Sequence, residues 1–397
     1  MIANTLRDAT ALADFPPSLT GRVNTPCYLV SSEAVRHNCQ ILANVAECSG
    51  AKILLALKAF ALPAVFPLIR QYLDGVCASG PIEARLGRED FGGEVHTYAP
   101  AYSCQQMERV ISFSDHILFN SLSQWQRHRP AIADAIVRGR LIKVGLRVNP
   151  GYSEVVTPLY NPCRPGSRFG LLPQELRDSD LTGISGLHFH ALCEQGADVL
   201  ARVLAHFEEK FSPWLGQMSW VNFGGGHHIS REDYDVEALC RIITDFRARH
   251  GNIQVYLEPG EAVVLNAGVF VSTVLDVLDR DPPLAILDCS AETHLPDVLA
   301  MPYRPHIVGA REAGDLPYTC HLGGISCLAG DVFGDYSFAK PLQTGDRLIM
   351  TDMALYTFVK STTFNGVELA EIYLVDEAGQ PHSLRRFSFE DFRGRIA

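Results

Sequence analysis

Lys58 lies in the run LLALKAF, a primary amine between apolar neighbours. Desolvation there disfavours the ammonium and leaves an amine able to condense with an aldehyde. A lysine snorkelling from a strand end is the plainer alternative. In NFGGGHHI, residues Gly224, Gly225 and Gly226 offer backbone amides free of side chains. A phosphate needs such amides, although a tight strand-to-helix turn would use the same triplet. Glu258 in YLEPGE is followed at once by Pro-Gly, which sets its carboxylate rigidly. Facing a pyridine nitrogen, that carboxylate keeps the nitrogen protonated and makes the ring an electron sink; otherwise it pairs with an arginine. HFHALCE has two readings. His190 stacks on a flat ring with His188 structural, or the His-x-His pair joins His227 and His228 around a metal.

Such groups need a frame that brings them to one mouth. Eight apolar runs follow one another: ILLALK (53–58), GVCAS (75–79), EVHTYAP (94–100), HILFN (116–120), IKVGLRVN (142–149), ISGLHFH (184–190), SWVNFG (219–224) and IQVYLEP (253–259). Amphipathic segments separate them, such as LPAVFPLIRQYL, SQWQRHRPAIADAIV and ADVLARVLAHFEEKF. That alternation predicts a (β/α)8 TIM barrel, whose reactive groups sit at the C-terminal ends of the strands. Lys58, Ser79, Arg147, His190, the glycine triplet and Glu258 all fall at such ends. Ser31 or Ser32 caps a first helix with Val35, Cys39, Leu42 and Ala46 on one face. The Gly/Pro-rich stretch 150–170 is expected to be a functional or mobile loop.

After residue 262 the rhythm changes to strand-like runs: LAILDCS, YTCHLGG, DRLIMTD and AEIYLVD, with PCYLV (26–30) able to join them. The fold class is therefore α/β, a barrel over 31–262 with a smaller all-β domain made from both ends, 1–30 and 263–397.

Composition narrows the function classes. A net charge of −11 argues against nucleic acid and suits a cationic substrate. No run is apolar enough to span a bilayer, and the N-terminus shows no secretory signal. Several of the eleven cysteines (Cys27, Cys39, Cys77) sit in apolar segments, and free thiols in a reducing cytosol explain most of the set. Metal-dependent barrel hydrolases usually carry their His-x-His on the first strand. Here that strand carries a lysine, so no metal is expected.

Taken in order, LALKAF, CASGPIEA, GLRVNPG, HFHALCE, NFGGG, LEPGEA, GGISCLAGD and ALYTF resemble the fold-type III pyridoxal-5′-phosphate (PLP) decarboxylases, whose barrel alanine racemase shares. Glu261 in LEPGEAVV, THLPDVLAMPYRP (293–305), GGISCLAGDVFGDY (323–336) and ALYTFVKSTTFNG (354–366) are similar to the carboxynorspermidine/carboxyspermidine decarboxylase branch. The resemblance implies PLP held by Lys58, with His190 stacked on the ring and Glu258 at its nitrogen. It implies phosphate at Gly224–Gly226 with Tyr356, and Arg147 as a partner of Glu258 or the ring. Cys327 and Asp331 would reach a neighbouring subunit's site, which implies a homodimer with shared active sites. Cys327 would be the acid that protonates Cα. Glu261, Asp297 and Asp331 would bind the distal amines of a small cationic carboxylated polyamine, in cytoplasmic polyamine and spermidine biosynthesis. In ornithine-type enzymes the acid directly follows the cysteine, whereas here Leu328 intervenes and the acid is Asp331. Arg304 in MPYRP could instead meet a distal carboxylate, which keeps diaminopimelate decarboxylation open beside a racemase and a non-enzymatic homologue.

Overall fold

The computed structural model describes residues 2–397, with side chains from Asp8 onward. The chain divides into two compact units. One comprises His37–Val263, and the other joins Met1–Arg36 to Val264–Ala397.

In the first unit, eight parallel strands close into a barrel: β2 (Lys52–Ala56), β3 (Gly75–Ala78), β4 (Glu94–Tyr98), β5 (His116–Phe119), β6 (Lys143–Arg147), β7 (Gly186–His188), β8 (Trp220–Asn222) and β9 (Gln254–Leu257). β9 pairs back onto β2, through Lys52 opposite Tyr256, and no edge is left. The barrel expected from the sequence is thus borne out. Each strand is shorter than its apolar run, because the last one or two residues of the run turn out into the mouth. Lys58, His190, Gly224 and Glu258 lie in those extensions rather than in the ladder.

The connections follow the capping rules. Ala34 N–H donates to Ser31 Oγ at 3.1 Å, so Ser31 caps the helix Ser32–Ser49, whose Val35, Cys39 and Leu42 are fully buried. LPAVFPLIRQYL departs from expectation. It forms only the short turns Pro63–Val65 and Phe66–Ile69, each beginning at a proline or with one in its first turn. The expectation that most cysteines are free thiols holds, with one exception: Cys48 and Cys240 form a disulfide between two helices 192 residues apart in sequence. The other nine are free.

In the second unit, β1 (Cys27–Ser31) lies between β10 (Gly268–Leu278), antiparallel to it, and β16 (Glu371–Val375), parallel to it. β11 (Leu284–Leu287), β12 (Arg311–Glu312), β13 (Tyr318–Gly323), β14 (Val332–Phe338), β15 (Arg347–Thr351) and β17 (Pro381–Arg385) complete the mixed sheet. The unit is not purely β. It also carries the helices Ile2–Asp14 and Phe389–Ile396 and several single turns.

Inside the barrel, Leu54, Leu118, Trp220 and Tyr256 pack as one cluster, joined by Cys77 and Tyr98. Trp220 lies over two neighbouring glycines: a Cβ on Gly186 would sit 2.0 Å from the indole, and one on Gly145 would sit 2.3 Å away. Overpacking of this kind costs about 1–3 kcal/mol. Gly186→Ala is therefore expected to lower the urea midpoint by an amount in that range; an unchanged midpoint would show that the layer yields freely.

Candidate active site

Glu258, one residue beyond β9, is 13% exposed and well connected. Its Oε1 accepts from Asn222 Nδ2 at 2.7 Å, and His188 Nε2 faces Oε2 at 3.4 Å. The Cys77 thiol also bonds to it, and burial together with this carboxylate pushes that thiol well up. Burial alone would raise Glu258, but His188, His96 and the Asn222 amide outweigh it and bring the carboxyl down to about 2. Burial holds His188 below its ordinary value. The carboxylate is the charged member of this pair.

His190 is fixed by its other face. Its Nδ1 accepts from Gly225 N–H at 2.9 Å, which leaves the ring proton on Nε2. Burial, then the charges of Lys58 and Arg147, keeps it well below the usual imidazole value, so the ring is neutral. Gly225 is required for contact rather than flexibility, since a Cβ there would lie 2.2 Å from the Glu258 carbonyl oxygen. Of the triplet expected to take a phosphate, Gly224 N–H is bound to Asn222 Oδ1 at 2.8 Å and Gly225 N–H to His190. Two of the three amides thus serve to hold the site together.

Arg147 closes β6 and is 7% exposed. Its guanidinium lies 4.6 Å from the Tyr98 ring and 4.4 Å from that of Phe169, a cation between two aromatic faces. The 150–170 loop is pinned nearby, through Asn149 Nδ2 to Phe169 O at 3.1 Å and Gly151 N–H to Asn149 Oδ1 at 2.8 Å.

Lys58 corrects one expectation. Its neighbours Leu57, Ala59 and Phe60 are buried, but the lysine itself is exposed, because its neighbours pack behind the strand end while it turns into the open. The His-x-His pair also divides, with His188 on Glu258 and His190 on Gly225. His228 belongs elsewhere: its Nε2 meets Glu261 Oε2 at 3.0 Å, and Glu194 brings a ligand atom within 4.8 Å of both. Burial would lower His228, but the Glu261 bond and charge raise it overall. Burial, then Glu261 and Glu194, pushes nearby Cys193 up to about 12, against the opposing charge of Lys58. Asn222, Cys77, Glu194 and the Glu258 partnership of His188 were missed from sequence. The signal for Asn222 was its place two residues before the glycines.

The remaining expected residues lie in the second unit. Cys327 is exposed. Tyr356 is half-buried with φ 43°, rare for a non-glycine residue. Asp297 is paired with Lys360. Asp331, expected to face substrate, is 4% exposed with both carboxylate oxygens on backbone amides, Ala291 N–H at 2.7 Å and Ser326 N–H at 3.0 Å. That geometry removes it from the amine ligands. Arg304 is also engaged, with Glu312, the Asp335 carbonyl and the Tyr336 ring.

A primary amine, an ionised carboxylate, a neutral imidazole and a glycine turn form a donor set suited to a pyridine aldehyde bearing a phosphate. The family model described as "Pyridoxal-dependent decarboxylase, C-terminal sheet domain" matches residues 27–354. This chain belongs to the PLP-dependent decarboxylases. It is 42% identical over 382 residues to the carboxynorspermidine/carboxyspermidine decarboxylase of Campylobacter jejuni, covering 94% of this chain and 98% of that one. It is also 42% identical over 375 residues to the carboxyaminopropylagmatine decarboxylase of Synechocystis, covering 94% and 95%. The crystal structure of the C. jejuni carboxynorspermidine decarboxylase complexed with norspermidine superposes with a TM-score of 0.86 at 41% identity, covering 94% and 100%. This decarboxylase uses PLP as its cofactor.

The low Glu258 value has a sign that can be tested. A depressed carboxyl adds stability that is fully present above its unfolded value near 4.3 and is lost as pH falls through about 2. The difference is on the order of 3 kcal/mol. Urea unfolding from pH 7 to pH 2 should show wild type losing that much more than Glu258→Gln; parallel curves would contradict the ionised carboxylate.

Proposed function

We propose that this decarboxylase removes the α-carboxylate of carboxynorspermidine, carboxyspermidine or both, releasing CO2 and the polyamine. The observation that carries the reading is Glu261, set with His228 and Glu194. Two carboxylates that close suit the ammonium groups of a cationic chain. Arg304, which a distal carboxylate would need, is already held by Glu312 and Asp335. The names of the C. jejuni relatives support the same substrate class.

In this reading Lys58 is the amine that would hold the cofactor aldehyde. Glu258 would hold the pyridine nitrogen, His190 would stack on the ring, Arg147 would support Glu258 or the ring, and the Gly224–Gly226 turn, with Gly226 the amide left over, would take the phosphate with Tyr356. Bound PLP supplies an electron sink for the pair left when the Cα–carboxylate bond breaks. The neutral state of His190 keeps a second positive charge away from that sink. Cys327 of the partner subunit gives its thiol proton to Cα and regains one from solvent. A homodimer with shared sites follows from that assignment. Among the described residues no helix is long and apolar enough to cross a membrane. A cytoplasmic location is part of the proposed role in polyamine biosynthesis.

A second reading rests on the Synechocystis relative, which matches at the same identity. A guanidinium would also suit the Glu194–Glu261 pair. CO2 release with carboxynorspermidine, carboxyspermidine, carboxyaminopropylagmatine and meso-diaminopimelate separates the readings. A carboxylated triamine should turn over fastest, and the two triamines should differ modestly, since one methylene is worth about 1–3 kcal/mol. Turnover of diaminopimelate alone would overturn the substrate class. Glu261→Gln should lower kcat/KM for the preferred polyamine by roughly tenfold to hundredfold, mostly through KM.

A further inference from the structure

Cys327 sits at the tip of a loop between β13 and β14 whose backbone is tethered at three consecutive residues. Ser326 N–H donates to Asp331 Oδ2 at 3.0 Å. Cys327 N–H donates to Asn365 Oδ1 at 2.7 Å. The Leu328 carbonyl accepts from Asp331 N–H at 3.0 Å. The Asp331 carbonyl in turn takes Gly324 N–H at 2.8 Å, and its Oδ1 takes Ala291 N–H at 2.7 Å, tying the loop to the turn after β11. The loop backbone wraps the carboxylate closely, since a Cβ on Gly324 would lie 2.5 Å from it. Asp331 is almost fully buried while Cys327 is exposed.

We propose that Asp331 is a positioning residue for the proton donor Cys327, its one side chain and backbone fixing the residues on either side of the thiol, with Asn365 as the second anchor. The inference rests on the reading of Cys327 as donor. The physical argument is acceptor count. A buried carboxylate offers two acceptors to two amides, whereas an asparagine offers one acceptor and turns an N–H against an N–H. Either Ser326, adjacent to Cys327, or Ala291, which ties the loop to the turn after β11, then loses its acceptor, and the loop shifts. A thiol displaced by even an ångström from the carbon it protonates loses rate and leaves substrate affinity largely intact.

The test compares wild-type holoenzyme with Asp331→Asn, Asn365→Gly and Cys327→Ala, using carboxynorspermidine turnover and iodoacetamide alkylation. Alkylation is read at the Cys327 peptide by mass spectrometry, with exposed Cys104 as internal reference. Asp331→Asn is expected to lower kcat about tenfold or more with KM nearly unchanged, and to alter the Cys327 alkylation rate severalfold against Cys104. Asn365→Gly, at an exposed position with φ 56° that glycine tolerates, should move both readouts the same way by less, and it carries the test if Asp331→Asn does not fold. A rise in KM at constant kcat would make Asp331 a substrate ligand instead and overturn the proposal. Unchanged alkylation in both loop variants would also overturn it. If Cys327→Ala keeps full kcat while the loop variants still change alkylation, the donor reading fails and the positioning by Asp331 stands.

Discussion

An ionised carboxylate enclosed at the end of a barrel strand is the constraint on which the barrel site depends. Left without partners, Glu258 would take up a proton, because burying a bare charge costs far more than neutralising it. It stays ionised because His188 from β7, His96 from β4 and Asn222 from β8 outweigh the burial, while the Cys77 thiol reaches it from β3, two strands away on the other side. The same arrangement spaces the glycine turn. Gly224 is bound to Asn222, Gly225 packs on the Glu258 carbonyl, and Gly225 N–H fixes the His190 tautomer. Glu258 thus meets the turn twice, its carboxylate through Asn222 and its backbone carbonyl against Gly225.

The mouth also separates two kinds of negative charge. Glu258 is tied to the Asn222 amide and the His188 ring. Glu261, three residues on, is tied to His228, whose basicity it raises. Two acids in one YLEPGE motif therefore have different surroundings, which is the basis for proposing that one holds the cofactor and the other reads the substrate.

Much of this was legible in the sequence, for a physical reason. Parallel strands buried on both faces read as apolar runs, and the residue that breaks such a run, Lys58 or Glu258, marks the strand end where a barrel collects its chemistry. What escaped depends on distant pairings. Asn222 and His188 meet Glu258 only through the register of β7, β8 and β9, and Cys77 only through closure of the barrel. Asp331 looked like a substrate acid because its backbone acceptor role leaves no pattern along the chain. The same holds for the bond between Cys48 and Cys240. β14 went unread as a strand, because glycine and aspartate interrupt its alternation.

The most direct measurement is borohydride reduction of the PLP-loaded protein followed by peptide mapping. The account predicts the cofactor mass on the peptide containing Lys58, with the visible absorbance band lost in Lys58→Ala. Cofactor fixed to a different lysine, or a band that survives Lys58→Ala, would contradict the assignment of the amine and with it the roles given to Glu258 and His190.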